Sequence, residues 1–222
     1  MSIWSASCRG VCNKRLTNRF GARRGERRSN AAFTLLELLV VITIIIALAG
    51  LILGTVGYVQ KKGARSRAEA EIAALSAALE SYKADNGTYP TNPDTDALVP
   101  NTQGDPRTAA YQNASLYLYK ELSGDHNADR RVDATDDLSG NGVVPKSYFA
   151  FKPNTLLPAP PSTSAVTGLR DPFGNSYGYS TAKASTPAGT NGYNPTFDLW
   201  STAGDTTAAV STTTSVQWIK NW

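Results

Sequence analysis

Residues 125 to 136 read DHNADRRVDATD, so that the oxygen-bearing side chains Asp125, Asn127, Asp129, Asp133 and Asp136 fall at positions 1, 3, 5, 9 and 12. A calcium loop wraps a hard cation with this spacing, and the backbone carbonyl of Arg131 would supply position 7. Val132 at position 8 is expected to pack inward, and His126 at position 2 to face solvent without serving as a ligand. Two features oppose a metal. Arg130 stands at position 6, where glycine normally permits the sharp turn, and Asp136 is shorter than the usual bidentate glutamate. The competing reading is a solvated acidic loop, although four carboxylates in register repel one another unless a cation lies among them. Calcium is therefore the candidate cofactor, and the loop with its flanks, residues 124 to 137, reads as an insertion.

A second group of residues lies near the start. Residues 33 to 59, FTLLELLVVITIIIALAGLILGTVGYV, hold one charge, Glu37. About 27 helical residues rise roughly 40 Å, which exceeds the hydrocarbon core of a bilayer. An acid at the centre of a membrane helix costs about 2.5 to 3.5 kcal/mol, and less near an end. Glu37 either reaches back to the headgroups, being four residues after Phe33, or finds a cation. Cleavage before Phe33 would create one, a new α-amino group. In a neighbouring copy shifted along the membrane normal, that amine could meet Glu37, and a pair at about 4 Å is worth roughly 4 kcal/mol at an effective dielectric near 20. The two magnitudes are comparable, so pairing would offset burial and favour assembly.

Materials for catalysis are scarce. Cys8 and Cys12 both lie before residue 33 and read as incidental, so no disulfide framework is available beyond them. His126 is the only histidine and has no evident nucleophile partner. No glycine-rich phosphate loop precedes a helix, and an enzyme is not expected.

The elements that position these residues follow from charge and periodicity. Residues 1 to 32 carry eight Lys/Arg against Glu26, a net +7; since the whole chain is +4, residues 33 to 222 carry −3. The basic balance thus belongs to a leader, and a nucleic-acid partner is not favoured. The leader should stay cytoplasmic by the positive-inside rule; Lys61, Lys62, Arg65 and Arg67 oppose this only weakly. After the apolar segment (33 to 60), residues 61 to 86 continue the helix, with Ala68, Ile72, Leu75, Leu79 and Tyr82 forming one apolar stripe and Asn86-Gly87 as its stop. Residues 87 to 222 read as a separate folded domain. Within it, 91 to 113 read as loop with at most a short helix near Ala97, and 115 to 124 as helix, with a strand as the alternative. Strands are expected at 147 to 151, 175 to 180, 197 to 201 and 216 to 222. Gly50, Gly54 and Gly57 lie in the apolar helix. They read as ordinary membrane-helix glycines, as small-residue packing contacts, or as a point of local melting.

A basic run, a small residue, then FTLLELLVV and a long apolar helix resembles the prepilin cleavage and methylation signature of type IV pilins and type II secretion pseudopilins. That resemblance implies cleavage between Ala32 and Phe33 by a prepilin peptidase, N-methylation of Phe33, and an assembly role for Glu37. Ala32 departs from the family's usual glycine, which should slow or alter processing, and the leader is long for the family. YKADNGTYP, DPFGN and FDLWS are similar to stretches of major pseudopilins and point to that branch. The branch implies an α+β fold, with a long N-terminal helix on a small antiparallel sheet, and a filament subunit held in the inner membrane with its C-terminal domain in the periplasm. Its implied partners are further copies, other pilins or pseudopilins, the peptidase and an inner-membrane assembly platform. The family's calcium site follows the FDLWS-like strand; here that loop has Asp205 as its only acid, so calcium, if used, is expected at 125 to 136 instead. The alternative function is a calcium-dependent adhesive or binding module on a pilin-like anchor.

Overall fold

The computed structural model describes residues 34–222. The leader, Ala32 and Phe33 lie outside the described residues. The chain divides into two compact units, Met1–Gly50 and Leu51–Trp222. Helix α1 (Leu35–Asn86) contributes to both.

In the first unit, Thr34 starts α1: its Oγ1 accepts the backbone N–H of Glu37 at 3.2 Å. The order Thr-Leu-Leu-Glu is the sequence form of a capping box, which explains why the helix begins here. From Leu35 to Gly50 every side chain is exposed, large apolar ones included. Such a surface is unfavourable in water and suits hydrocarbon. The helix is long and apolar enough to cross a membrane, and this segment anchors the chain to one.

In the second unit α1 first stays exposed, and the hydroxyl of Thr55 returns to the carbonyl of Ile52 at 3.0 Å. The Thr55 hydroxyl, like the backbone groups of the helix, is thereby satisfied within the helix, as a membrane requires. Burial begins at Ala64 and continues through Ala68, Ile72, Leu75, Ala78 and Leu79, following the expected stripe, with Tyr82 half-buried beside it. Each fully buried Leu or Ile contributes about 1.5–3 kcal/mol, so this face holds the later turns of α1 to the domain. Gly87, at φ +80°, ends the helix by donating its N–H to the Lys83 carbonyl at 2.7 Å.

Helix α2 (Pro93–Ala97) is closed by a reciprocal cap between Asn92 and Thr95. Helix α3 (Ala109–Ser123) confirms the helical reading of 115 to 124 but starts earlier than expected, because Tyr111 and Ala114 are fully buried and extend its apolar face. Strands β1 (Leu156–Leu157) and β2 (Gly168–Leu169) form one antiparallel pair. Strands β3 (Gly178–Ser180), β4 (Asp198–Ser201) and β5 (Ile219–Lys220) form an antiparallel sheet in that order. Tyr177, Tyr179, Phe197, Leu199 and Ile219 share one core with the α1 stripe and with Leu118 and Leu122 of α3. A second cluster gathers Leu98, Tyr111, Ala114, Trp200 and Trp218. The indole of Trp200 lies over its cross-strand neighbour Gly178, where a Cβ would come within 2.2 Å of the ring. Only glycine leaves that space.

The strand expected at 147 to 151 does not form. The N–H groups of Tyr148 and Phe149 both donate to the carbonyl of Leu122, at 2.8 and 3.0 Å, so the segment caps the end of α3 instead of joining a sheet. The α+β architecture of the pilin type is otherwise as expected.

Candidate functional site

Glu37 sits in the first turn of α1, where the unpaired N–H groups of a helix favour a carboxylate. It is exposed, as are its apolar neighbours along the helix. The ion pairs among the described residues are Arg65–Glu69, Arg107–Asp105 and Lys146–Asp85, and none reaches Glu37. Glu37 is thus an acid on an apolar surface that pairs with no cation among the described residues. Thr34 was not singled out as part of this site, although its spacing to Glu37 could have revealed it: the cap sets where the first turn starts, and hence where the carboxylate stands.

The acidic loop begins where α3 ends, at Gly124 with φ +82°. Asp125 is fully buried, and its Oδ2 accepts the Tyr119 hydroxyl at 2.5 Å and the Arg130 N–H at 2.8 Å. Its Oδ1 accepts the Asp129 N–H at 3.1 Å. Burial first, then the Asp125 carboxylate, pushes the Tyr119 hydroxyl well above its ordinary pKa, so it stays a donor. Asn127 and Asp129 each accept the N–H two residues on, from Asp129 and Arg131, at 2.9 Å. Buried Asp136 closes the loop, its Oδ1 and Oδ2 accepting the N–H groups of Asn127 and Asp133 at 3.0 Å. Asp133 accepts the hydroxyl and N–H of Thr135, and these hold its carboxyl below the usual range.

The six expected ligands thus form two knots, one about Asp125 and one about Asp136. Among the described residues no three carboxylate, imidazole or thiol groups come together as a metal site would require. The donor set is nonetheless all oxygen, which is the chemistry calcium selects.

Three details differ from the sequence expectation. Arg130 adopts φ +77°, the left-handed turn that position 6 requires, although it is not glycine. Such a residue costs about 1–2 kcal/mol. Its guanidinium donates to the carbonyls of Ser164 and Pro158 at 2.8 and 2.7 Å, and charge-assisted bonds contribute about 1.5–3 kcal/mol each, so the arginine is net favourable. Val132 is exposed at 38%, and Ala128, at φ +64°, faces the core in its place, its carbonyl accepting the Val166 N–H at 2.8 Å. The two left-handed residues rotate the chain and exchange which side chain points inward. His126 is half-buried, not solvent-facing: its Nδ1 lies 2.9 Å from the Asp136 carbonyl.

In the DPFGN turn, buried Asp171 accepts the N–H groups of Phe173 and Asn175 at 3.0 and 2.8 Å, and the Ser201 hydroxyl of β4 at 2.6 Å. Burial still pushes its carboxyl above the ordinary value, so desolvation outweighs these bonds. Asp205 spends one oxygen on the N–H and hydroxyl of Thr207, at 2.9 and 2.6 Å.

Two family models match the chain. One, for the prokaryotic N-terminal methylation motif, covers residues 27–53. The other, for protein G of the type II secretion system, covers residues 56–127. Among curated relatives, the type II secretion system core protein G of Klebsiella michiganensis is 30% identical over 140 residues, spanning 54% of this chain and 99% of that protein. The protein of the same description from Aeromonas hydrophila is 37% identical over 89 residues, 40% of this chain and 62% of its own length. That from Escherichia coli is 41% identical over 94 residues, 42% of this chain and 63% of its own. No solved structure matches.

Proposed function

The chain belongs to the family of the type II secretion system core protein G, and from that premise we infer that it is a structural subunit of a secretion pseudopilus or closely related filament. The observation that carries this reading is the placement of Glu37, a carboxylate in the first turn of an exposed apolar helix. Prepilin peptidase cleaves between Ala32 and Phe33, and the Phe33 amine is methylated and meets the Glu37 carboxylate of an adjacent subunit. The methylation motif match across residues 27–53 supports this sequence of events. In the membrane the chain passes once, with the leader cytoplasmic and residues 87 to 222 periplasmic, until α1 is drawn into the filament core. Its partners are further copies, other pseudopilins, the peptidase and the inner-membrane assembly platform. Catalysis plays no part in this role.

The reading is tested by shearing native filaments and analysing them by intact-mass spectrometry. The expected result is an abundant chain beginning at Phe33, 14 Da heavier for a methylated amine. A chain that retains its leader, or is absent from the filaments, overturns it.

A second reading, compatible with the first, is that the 125 to 136 loop binds calcium. The left-handed backbone at Arg130 favours it, since this is the turn the sixth position of such a loop needs. The detergent-solubilised full chain should then melt at a higher temperature with calcium than with chelator. Saturation at about 100 times Kd adds roughly 2.7 kcal/mol. Identical melting curves retire the calcium reading and leave the filament reading intact.

A further inference from the structure

Two features of the Leu51–Trp222 unit remain unused by the fold. One is an open, mainly apolar cavity of about 230 Å³ between the turns of α1 near Ala70 and Ala74 and the segment bearing Phe149 and Phe151. Glu71 lines it but is engaged, accepting the Tyr177 hydroxyl at 2.7 Å. Lys152, on its rim, is exposed and forms no ion pair among the described residues. The other feature is the loop following the acidic insertion, where Leu138, Val143 and Val144 are 81%, 64% and 55% exposed. This apolar tip is preformed. The Asp137 carboxylate accepts the Ser139 hydroxyl and N–H and the Val143 N–H, at 2.6, 2.8 and 3.1 Å, and Gly140 and Gly142 take left-handed turns. These bonds fix the position of the Asp137 carboxylate. No cation pairs with it among the described residues.

We propose that the 137 to 144 loop of one subunit docks in the Ala70–Phe151 cavity of another copy of this chain, with Asp137 of the first facing Lys152 of the second. The loop offers exposed aliphatic side chains and an anion; the cavity offers apolar walls and an exposed cation. The two features lie at different levels of α1. The loop is rooted at the helix's C-terminal end, where Lys146 pairs with Asp85, and the cavity lies 10 to 15 residues earlier, about 15–22 Å along the axis. Subunits anchored by the same N-terminal segment run parallel. Each cavity therefore receives the loop of a subunit displaced by that distance towards the membrane. A contact between two different surfaces displaced along an axis is heterologous and does not close, which is the symmetry of a fibre. Because the loop is already braced, docking orders few groups and wastes little of the apolar gain.

The inference rests on the filament reading, and one experiment separates the two. In full-length chain carrying Cys8→Ser and Cys12→Ser, Leu138→Cys and Ala74→Cys are introduced singly and together, and filaments are oxidised in place. Only the double variant should give a disulfide ladder running beyond dimer. Lys152→Asp alone should lower ladder yield roughly two- to five-fold, as for an exposed ion pair, whereas Lys152→Arg, which keeps the charge, should leave it unchanged. Filaments without a ladder overturn the docking contact but leave the filament reading standing. A band that stops at dimer overturns it in favour of a symmetric contact. A ladder that needs a different pilin from the same filament overturns the choice of occupant, and a chain absent from filaments overturns both inferences.

Discussion

Chains carrying Glu37→Ala should be cleaved and held in the membrane yet be missing from sheared filaments. The expectation rests on two energies of opposite sign. Removing the acid relieves up to about 2.5–3.5 kcal/mol of burial cost, so the anchor inserts at least as well as before. The same change removes the proposed pairing with the neighbouring Phe33 amine, worth roughly 4 kcal/mol, about a thousand-fold in an equilibrium constant. Membrane retention and filament entry therefore move apart, which a merely misfolded variant would not show. Quantitative immunoblotting of membrane and sheared-filament fractions reads both. Glu37→Asp keeps the charge on a shorter arm and should recover part of the loss. Normal filament entry by the alanine variant would remove Glu37 from assembly.

A loss of comparable size is expected in the folded domain from Trp200→Ala. Trp200 is fully buried, stacks on Trp218 at 6.2 Å, meets Tyr111 edge-on at 5.6 Å, and donates its Nε1–H to the Tyr111 hydroxyl at 3.1 Å. Truncating such a side chain costs about 3–5 kcal/mol. A typical domain has about 5–15 kcal/mol in all. Urea unfolding of the detergent-solubilised chain, followed by far-UV circular dichroism, should show the midpoint falling accordingly. Trp200→Phe retains aromatic packing and should lose less. A shift below about 1 kcal/mol for the alanine variant would mean that the cluster collapses to fill the space, and that the Gly178–Trp200 fit is dispensable.

The long helix was legible because its signals are local: an apolar run, a stripe every three or four residues, and Gly87 at the stop. Strands β3 and β4 were legible for the same reason. The segment around Phe149 was misread because alternating aromatic residues look like a strand whatever they pair with. Here the partner was the end of α3, and the rings of Phe149 and Phe151 met each other at 4.8 Å. Strands β1 and β2 are two residues each and carry too little pattern to read. In the acidic loop the types and spacing of the oxygen donors were plain. The handedness at Arg130 was not, since what holds an arginine there is a pair of carbonyls 28 and 34 residues further along.

The aromatic cluster also determines what light can report. Of the chain's four tryptophans, Trp4 lies in the leader. The other three crowd together, with Trp200 6.2 Å from Trp218 and 5.8 Å from Trp222 between ring centres. Indoles at that spacing couple their transitions and exchange excitation faster than they emit. In a chain without residues 1 to 32, tryptophan fluorescence will therefore act as one composite emitter seated at the sheet. Titrations excited selectively at tryptophan will follow this cluster, and a tryptophan signal from insertion of the membrane helix will need an indole placed there on purpose.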